Sequence, residues 1–173
     1  MRAFVAIDIP QEVRREIIKI QAALPELKGK KTEQENLHLT LKFLGEVDEK
    51  DIEQIKKKLK EIKFNSFETE IDSLGIFHPK LIRIVWLHMN NCDALQKEID
   101  EKLSPIFEPE RRFMSHLTIA RVKSIKDKNI FLEKIKKIKF DKIKLKVKNF
   151  KLKRSKLTRN GSVYEDLEIY DLV

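Results

Sequence analysis

Two tripeptides in this chain are equipped for chemistry. His38-Leu39-Thr40 lies in NLHLTLKFLG, and His116-Leu117-Thr118 lies in SHLTIARV. In an extended strand, residues two apart point to the same side, so each motif sets an imidazole beside a hydroxyl. Leu39 and Leu41, like Leu117 and Ile119, turn the other way and can anchor each strand on a core. Lys42 continues the first polar face. Histidine changes charge near neutral pH, so one ring can take a proton while a second gives one. Displacement at phosphorus needs both, because the attacking and leaving oxygens lie on opposite sides. The threonine hydroxyls, helped by Lys42 or Arg121, can bond the non-bridging oxygens as negative charge builds there. Acid-base steps contribute roughly 10²–10⁴-fold each, which suits an activated ester such as a strained five-membered cyclic phosphate.

A lone strand histidine is more often a hydrogen-bonded structural residue than a catalyst. The duplication argues against that for His38 and His116. For His78 and His88 it stands, since neither has Thr two places on, and neither is given a role. A metal hydrolase is the weaker alternative. The chain has no His-x-x-x-His pair, no cysteine cluster and no carboxylate on the face of either motif. A passive RNA-binding module with structural histidines is a further alternative.

The elements that must hold these motifs can be read from apolar spacing. AFVAIDI is a buried strand. Pro10 opens a helix with Val13, Ile17, Ile20 and Leu24 on its buried side, and a polar loop containing Gly29 follows. NLHLTLKFLG is a strand. Asp48 is the expected N-cap of a helix carrying Ile52, Ile55, Leu59 and Ile62 inward. SFETEIDSLGIF is a strand with Gly75 at an expected bulge, and LIRIVWLHM is another. NCDALQKEIDEKL is a helix ended by Pro105, FMSHLTIARV a strand and DKNIFLEKIKKI a short helix. DKIKLKVKNFKLKRSKL alternates basic and apolar residues. Its phase slips by one after Asn149, which predicts one strand with a bulge there. Asn160-Gly161 predicts a hairpin turn.

The order strand–helix–strand occurs twice, each time ending in His-Leu-Thr. One domain of two related halves is therefore expected, the first over about 1–77 and the second over about 81–173. Net charge is +9, favouring an anionic partner such as nucleic acid, or reflecting only a lysine-rich, heat-adapted composition. From Lys134 to Arg159 the only acid is Asp141, so a basic strand face could attract RNA, or could simply be a solvated edge. Phe43, Phe113 and Tyr164 are candidates to stack a base, with core packing favoured for the two phenylalanines. The single Cys92 excludes an intramolecular disulfide and fits a reducing compartment. No stretch approaches the roughly 20 apolar residues of a membrane span, and the N-terminus is no signal peptide.

With both tripeptides in place, the chain resembles the 2H phosphoesterase superfamily. Within it, the resemblance is to the RNA 2′,3′-cyclic phosphodiesterases, also called 2′-5′ RNA ligases. The likeness covers nearly the whole chain, from MRAFVAIDIP through HLTLKFLGE, IVW and HLTIARV to LKRSKLTRNGSVYE. It implies an α+β fold of two pseudo-symmetric lobes, each an antiparallel sheet with helices outside, around a central cleft. It implies hydrolysis of a terminal RNA 2′,3′-cyclic phosphate to a 2′-phosphate, without metal or cofactor. His38 would be the proton donor and His116 the proton acceptor. Thr40 and Thr118 would hold the phosphate, and Arg121 would add positive charge. Regular alternation sets Arg121 opposite to His116, so its role requires a bend in the strand. The alternative activity is ligation, with a 5′-hydroxyl in place of water. The expected partner is RNA with a cyclic phosphate end, tRNA halves or nucleotides included. The expected enzyme is a cytoplasmic monomer. Two departures stand out. Ser115 occupies a position where many relatives have proline, and His88 one where a small residue is common.

Overall fold

A computed structural model describes residues 1–173. The chain runs β1 (Arg2–Asp8), α1 (Gln11–Ala22), β2 (Lys28–Lys31), a 3₁₀ turn (Gln34–Asn36), β3 (His38–Glu46), α2 (Glu49–Lys60) and β4 (Phe67–Ile76). It continues with β5 (Ile84–Met89), α3 (Asp93–Leu103), β6 (His116–Ser124), α4 (Lys128–Lys137), β7 (Ile143–Val147), β8 (Asn149–Thr158) and β9 (Gly161–Asp171). The strands form one curled antiparallel sheet in the order β7-β4-β5-β6-β3-β1-β8-β9, with β2 added along β6. Helices pack on one face only: α3 on β3, α1 over β6 and β7, and α2 between α3 and β9. Between sheet and helices lies a single core, to which Leu39, Leu41, Leu117 and Ile119 all contribute. The other face is left to line a cleft.

The helices form where their apolar spacing puts them, with Ile52, Ile55 and Leu59 buried on α2 and Leu95, Ile99 and Leu103 on α3. Asp48 does stand at the N-cap of α2, but its side chain makes no capping bond; Asp127 at the start of α4 does, to Ile130 N at 3.1 Å. Three expectations are corrected. The Gly29 loop is a strand, β2, pressed so tightly on β6 that a Cβ on Gly29 would sit 2.1 Å from the Arg121 carbonyl oxygen. The bulge in β4 falls between Ile71 and Ser73 rather than at Gly75. Gly75 instead makes room for the Trp86 indole, which a Cβ would meet at 2.5 Å. Finally, the basic run divides at Lys148 into two strands: β7 pairs with β4, and β8 pairs with β1 and β9. The phase slip marks a change of partner, not a bulge. The Asn160-Gly161 turn closes the β8–β9 hairpin as expected, with Gly161 at φ +118°.

The sheet has an approximate two-fold relation about the β3–β6 junction, with β1 matching β5 and β8 matching β4. The lobes are not the chain halves. β4 lies on the β6 side and β8 and β9 on the β3 side, so each lobe is completed by strands from the other half.

Candidate active site

The two motif strands meet at one bridge, Leu39 to Leu117. Their leucines point into the core. One step away on either side, antiparallel pairing sets His38 level with Thr118 and Thr40 level with His116, all four on the opposite face. The two imidazoles therefore occupy diagonal corners of a four-residue plaque. Diagonal positions in a regular ladder are roughly 7–8 Å apart, a gap that accommodates a phosphate group. All four residues line one cleft of about 600 Å³ and are half-buried.

Both rings are held in the same way. His38 Nδ1 bonds the Asn36 carbonyl at 2.7 Å, and His116 Nδ1 bonds the Met114 carbonyl at 2.8 Å. A carbonyl only accepts, so each Nδ1 carries the hydrogen and each Nε2 is the nitrogen left for proton transfer. His38 Nε2 lies 3.1 Å from Thr40 Oγ1. Thr32 donates to the Thr118 carbonyl at 2.9 Å and ties the second motif to the end of β2. Burial pulls the His38 pKa below its ordinary value. The Asn36 carbonyl works against this, Lys153 and Arg121 add to it, and Asp8 opposes it.

After each His-x-Thr the strand slips register. Leu41 has no counterpart between the β1 partners Ala6 and Val5, and Ile119 has none between Trp86 and Val85 on β5. These matched bulges reverse the alternation, so 41 and 42 are both buried, as are 119 and 120. Arg121 consequently returns to the cleft, beside His116 and Thr118. The same bulge overturns the expectation for Lys42. It is 2% exposed, points away from the cleft, and is spent on Asp100 Oδ1 and the Glu108 carbonyl. It is no phosphate contact.

The residue matching Arg121 in the first motif is Phe43, which is 66% exposed and lines the cleft, contrary to its expected core role. Tyr164 also lines the cleft, edge-on to His38 with centroids 5.0 Å apart. Phe113 packs partly against the core near α3, away from the cleft. The basic run forms no single face. Lys151 and Lys153 are consumed in ion pairs with Asp8 and Asp166, while Lys144 and Lys146 are exposed on distant β7. No three His, Cys, Asp or Glu side chains are grouped to hold a metal ion.

Sequence reasoning missed Asn36, whose carbonyl orients His38 and whose amide reaches Ser162 O at the start of β9 at 3.0 Å. It also missed that His88 lies directly opposite His116 across β5–β6, its Nδ1 2.8 Å from Asp72. Registers of this kind become visible only once strands are paired. Asn36 left no signal in the sequence, because it acts, like Met114 before the second motif, through its backbone carbonyl.

Comparison with known proteins agrees with this geometry. The family described as LigT like Phosphoesterase matches residues 7–86 and 88–164, each segment containing one His-x-Thr. An RNA 2′,3′-cyclic phosphodiesterase of Methanocaldococcus jannaschii is 42% identical over 171 residues, covering 95% of this chain and 97% of that protein. A protein of the same name from Thermotoga maritima is 37% identical, covering 96% and 93%. Among solved structures, E. coli LigT complexed with 3′-AMP superposes with a TM-score of 0.81 at 26% identity, covering 99% of this chain and 98% of that one. The chain is thus a member of the LigT-like phosphoesterase family.

Proposed function

We propose that this protein hydrolyses the 2′,3′-cyclic phosphate at the end of an RNA to a 2′-phosphate, by two-histidine acid-base catalysis without a metal. The name shared by its relatives supports the substrate class. The observation that supports the mechanism is the Leu39–Leu117 bridge, across which His38 and His116 fall at diagonal positions and line one cleft.

In the proposed step, a cyclic phosphodiester sits on the plaque with its phosphorus between the rings. His116 Nε2 takes a proton from water as the water oxygen bonds to phosphorus. The P–O3′ bond breaks, and His38 Nε2 delivers its proton to O3′. Thr40, Thr118 and Arg121 stabilise the non-bridging oxygens as charge accumulates. In the free cleft, burial favours neutral His38. The phosphodiester anion opposes that tendency, so substrate itself helps load the donor. Each ring then needs a fresh proton balance before the next turnover, which solvent at the open cleft provides.

On this reading the partner is RNA bearing the cyclic end, tRNA halves or nucleotides included, and the enzyme is a cytoplasmic monomer. We read the chain as one domain built from two half-repeats, about 1–77 and about 81–173. No helix is long and apolar enough to cross a membrane. The test is product analysis on an oligoribonucleotide ending in a cyclic phosphate, with His38→Ala and His116→Ala beside the wild type. A 2′-phosphate product is expected, with turnover reduced by roughly 10²–10⁴ in each variant while the fold persists. A 3′-phosphate product would reverse which oxygen leaves, and variants at wild-type rate would remove the rings from the mechanism.

A further inference from the structure

The near two-fold that repeats the His-x-Thr plaque does not repeat its surroundings. Directly opposite His38 on the neighbouring strand stands Asp8. At the matching place opposite His116 stands His88. Residues directly opposite in an antiparallel pair have their Cβ atoms about 4.5–5.5 Å apart on the same face. One ring therefore has a carboxylate for its direct neighbour, where the other has a second imidazole whose own Nδ1 is bonded to Asp72 at 2.8 Å.

Asp8 does not bond the His38 ring, whose two nitrogens engage Asn36 and Thr40. Its oxygens are taken by Lys153, at 2.7 and 2.9 Å, and by Lys151, at 2.8 Å. Both lysines also reach Asp166, at 2.9 and 2.8 Å. The four charges cancel in sum but not in place: Asp8 adjoins the His38 strand, and Asp166 lies two strands further out on β9. Lys153 is buried, so solvent screens this charge poorly. The other charged or titratable groups that line the cleft with His38 are Arg2 of β1, Lys30 and Lys31 of β2, Tyr164 of β9, and Arg121 and His116 of β6. The 3₁₀ turn presents the neutral Asn36, and its neighbour Glu33 is neutralised by Lys30.

We propose that Asp8 and Lys153 are positioning residues for the proton of the reaction: Asp8 favours the protonated His38 ring and Lys153 opposes it, so that the pair sets how readily this ring serves as donor. The proposal rests on the donor and acceptor roles assigned above. Asp8 holds the proton on the ring, and Lys153 limits how tightly. Their influences are opposite in sign, which a packing role would not be. In the structure Lys153 lowers the His38 pKa and Asp8, the smaller influence of the two, raises it.

The test is an NMR titration of the His38 imidazole in wild type, Asp8→Asn and Lys153→Met, alongside the pH dependence of kcat/KM. Asp8→Asn lowers the His38 midpoint and Lys153→Met raises it, each by on the order of one pH unit. The limb of the rate profile belonging to His38 moves with it, and Lys153→Arg restores the wild-type midpoint. If Asp8→Asn does not fold, Lys153→Met and Lys153→Gln carry the test, and both must raise the midpoint. Midpoints that stay fixed, or that move the same way in Asp8→Asn and Lys153→Met, overturn the proposal. A wild type that leaves cyclic phosphate intact while the ring titrations shift as expected would instead overturn the assigned reaction. The two failures are therefore separable.

Discussion

Replacing Lys42 with methionine separates the two roles that this residue could have had. Its ammonium is buried against Asp100 Oδ1 and the Glu108 carbonyl. The other Asp100 oxygen receives Gln96 Nε2 at 3.1 Å and Glu110 N at 2.8 Å. Removing one partner of a buried ion pair typically costs about 3–5 kcal/mol. Because Asp100 keeps two donors, the lower end applies, about 3 kcal/mol. For a chain of this size that is a fall in Tm of roughly 6–12 °C. The assay is a urea and thermal melt of Lys42→Met, with kcat/KM measured well below the transition. The expected result is the full stability loss with kcat/KM within a few-fold of wild type. Unchanged stability with kcat/KM reduced by about 100-fold would refute the reasoning and return Lys42 to the phosphate. Adding Asp100→Leu to Lys42→Met should recover most of the loss, since no uncompensated charge then remains. The pair also gives a pH signature. Burial alone would raise the Asp100 pKa, but its bonds to Lys42, Glu110 N and Gln96 outweigh that and hold it below the ordinary carboxylate value. Its contribution is therefore present above about pH 4 and is lost as pH falls through the depressed folded value. The stability gap between wild type and Lys42→Met should narrow in that acid range.

Arg121→Gln should lower kcat/KM by roughly 10–100-fold, the worth of one charge-assisted bond, and leave the melt unchanged because the side chain is exposed. Steady-state kinetics check this. Gly29→Ala forces a Cβ onto the Arg121 carbonyl at a φ of +150°, and should cost about 1–3 kcal/mol in a denaturant melt. Burial pushes the Cys92 thiol up to about 11, so a thiol reagent at pH 8 should react only after unfolding. Turnover should survive exhaustive EDTA treatment; its loss, restored by a metal ion, would favour the metal hydrolase.

The motifs were legible because both chemistry and packing obey the two-residue period of a strand. Leu39 and Leu117 had to be inside, so His38 and His116 had to be outside. What followed each motif was not legible. Nothing local in LTLKF or LTIAR announces that Leu41 and Ile119 are extra residues; the bulges exist because β1 and β5 pair with a different register on either side of them. That one slip inverted the fates of Lys42 and Arg121. The same limit applies to the tail, where a phase slip was visible but its cause, a change of partner at Lys148, depended on strands far away in sequence. β2 was hidden by composition: KGKK has no apolar side to read, and it is a strand because β6 supplies its hydrogen bonds.

The passage from β7 to β8 through Lys148 alone bears on how RNA gets in. A jaw that opens and shuts needs slack chain at the back, and here the back is cinched by one residue joining edge strand β7 to β8, the strand next to the other edge, with Leu172 N bonded to its carbonyl. Gaping would tear paired strands apart instead of bending a loose connection. On the proposed function, an RNA terminus should therefore enter by fitting a slot that is already formed. Single-stranded ends should then be cleaved faster than base-paired ones, a difference that turnover on paired and unpaired substrates would measure.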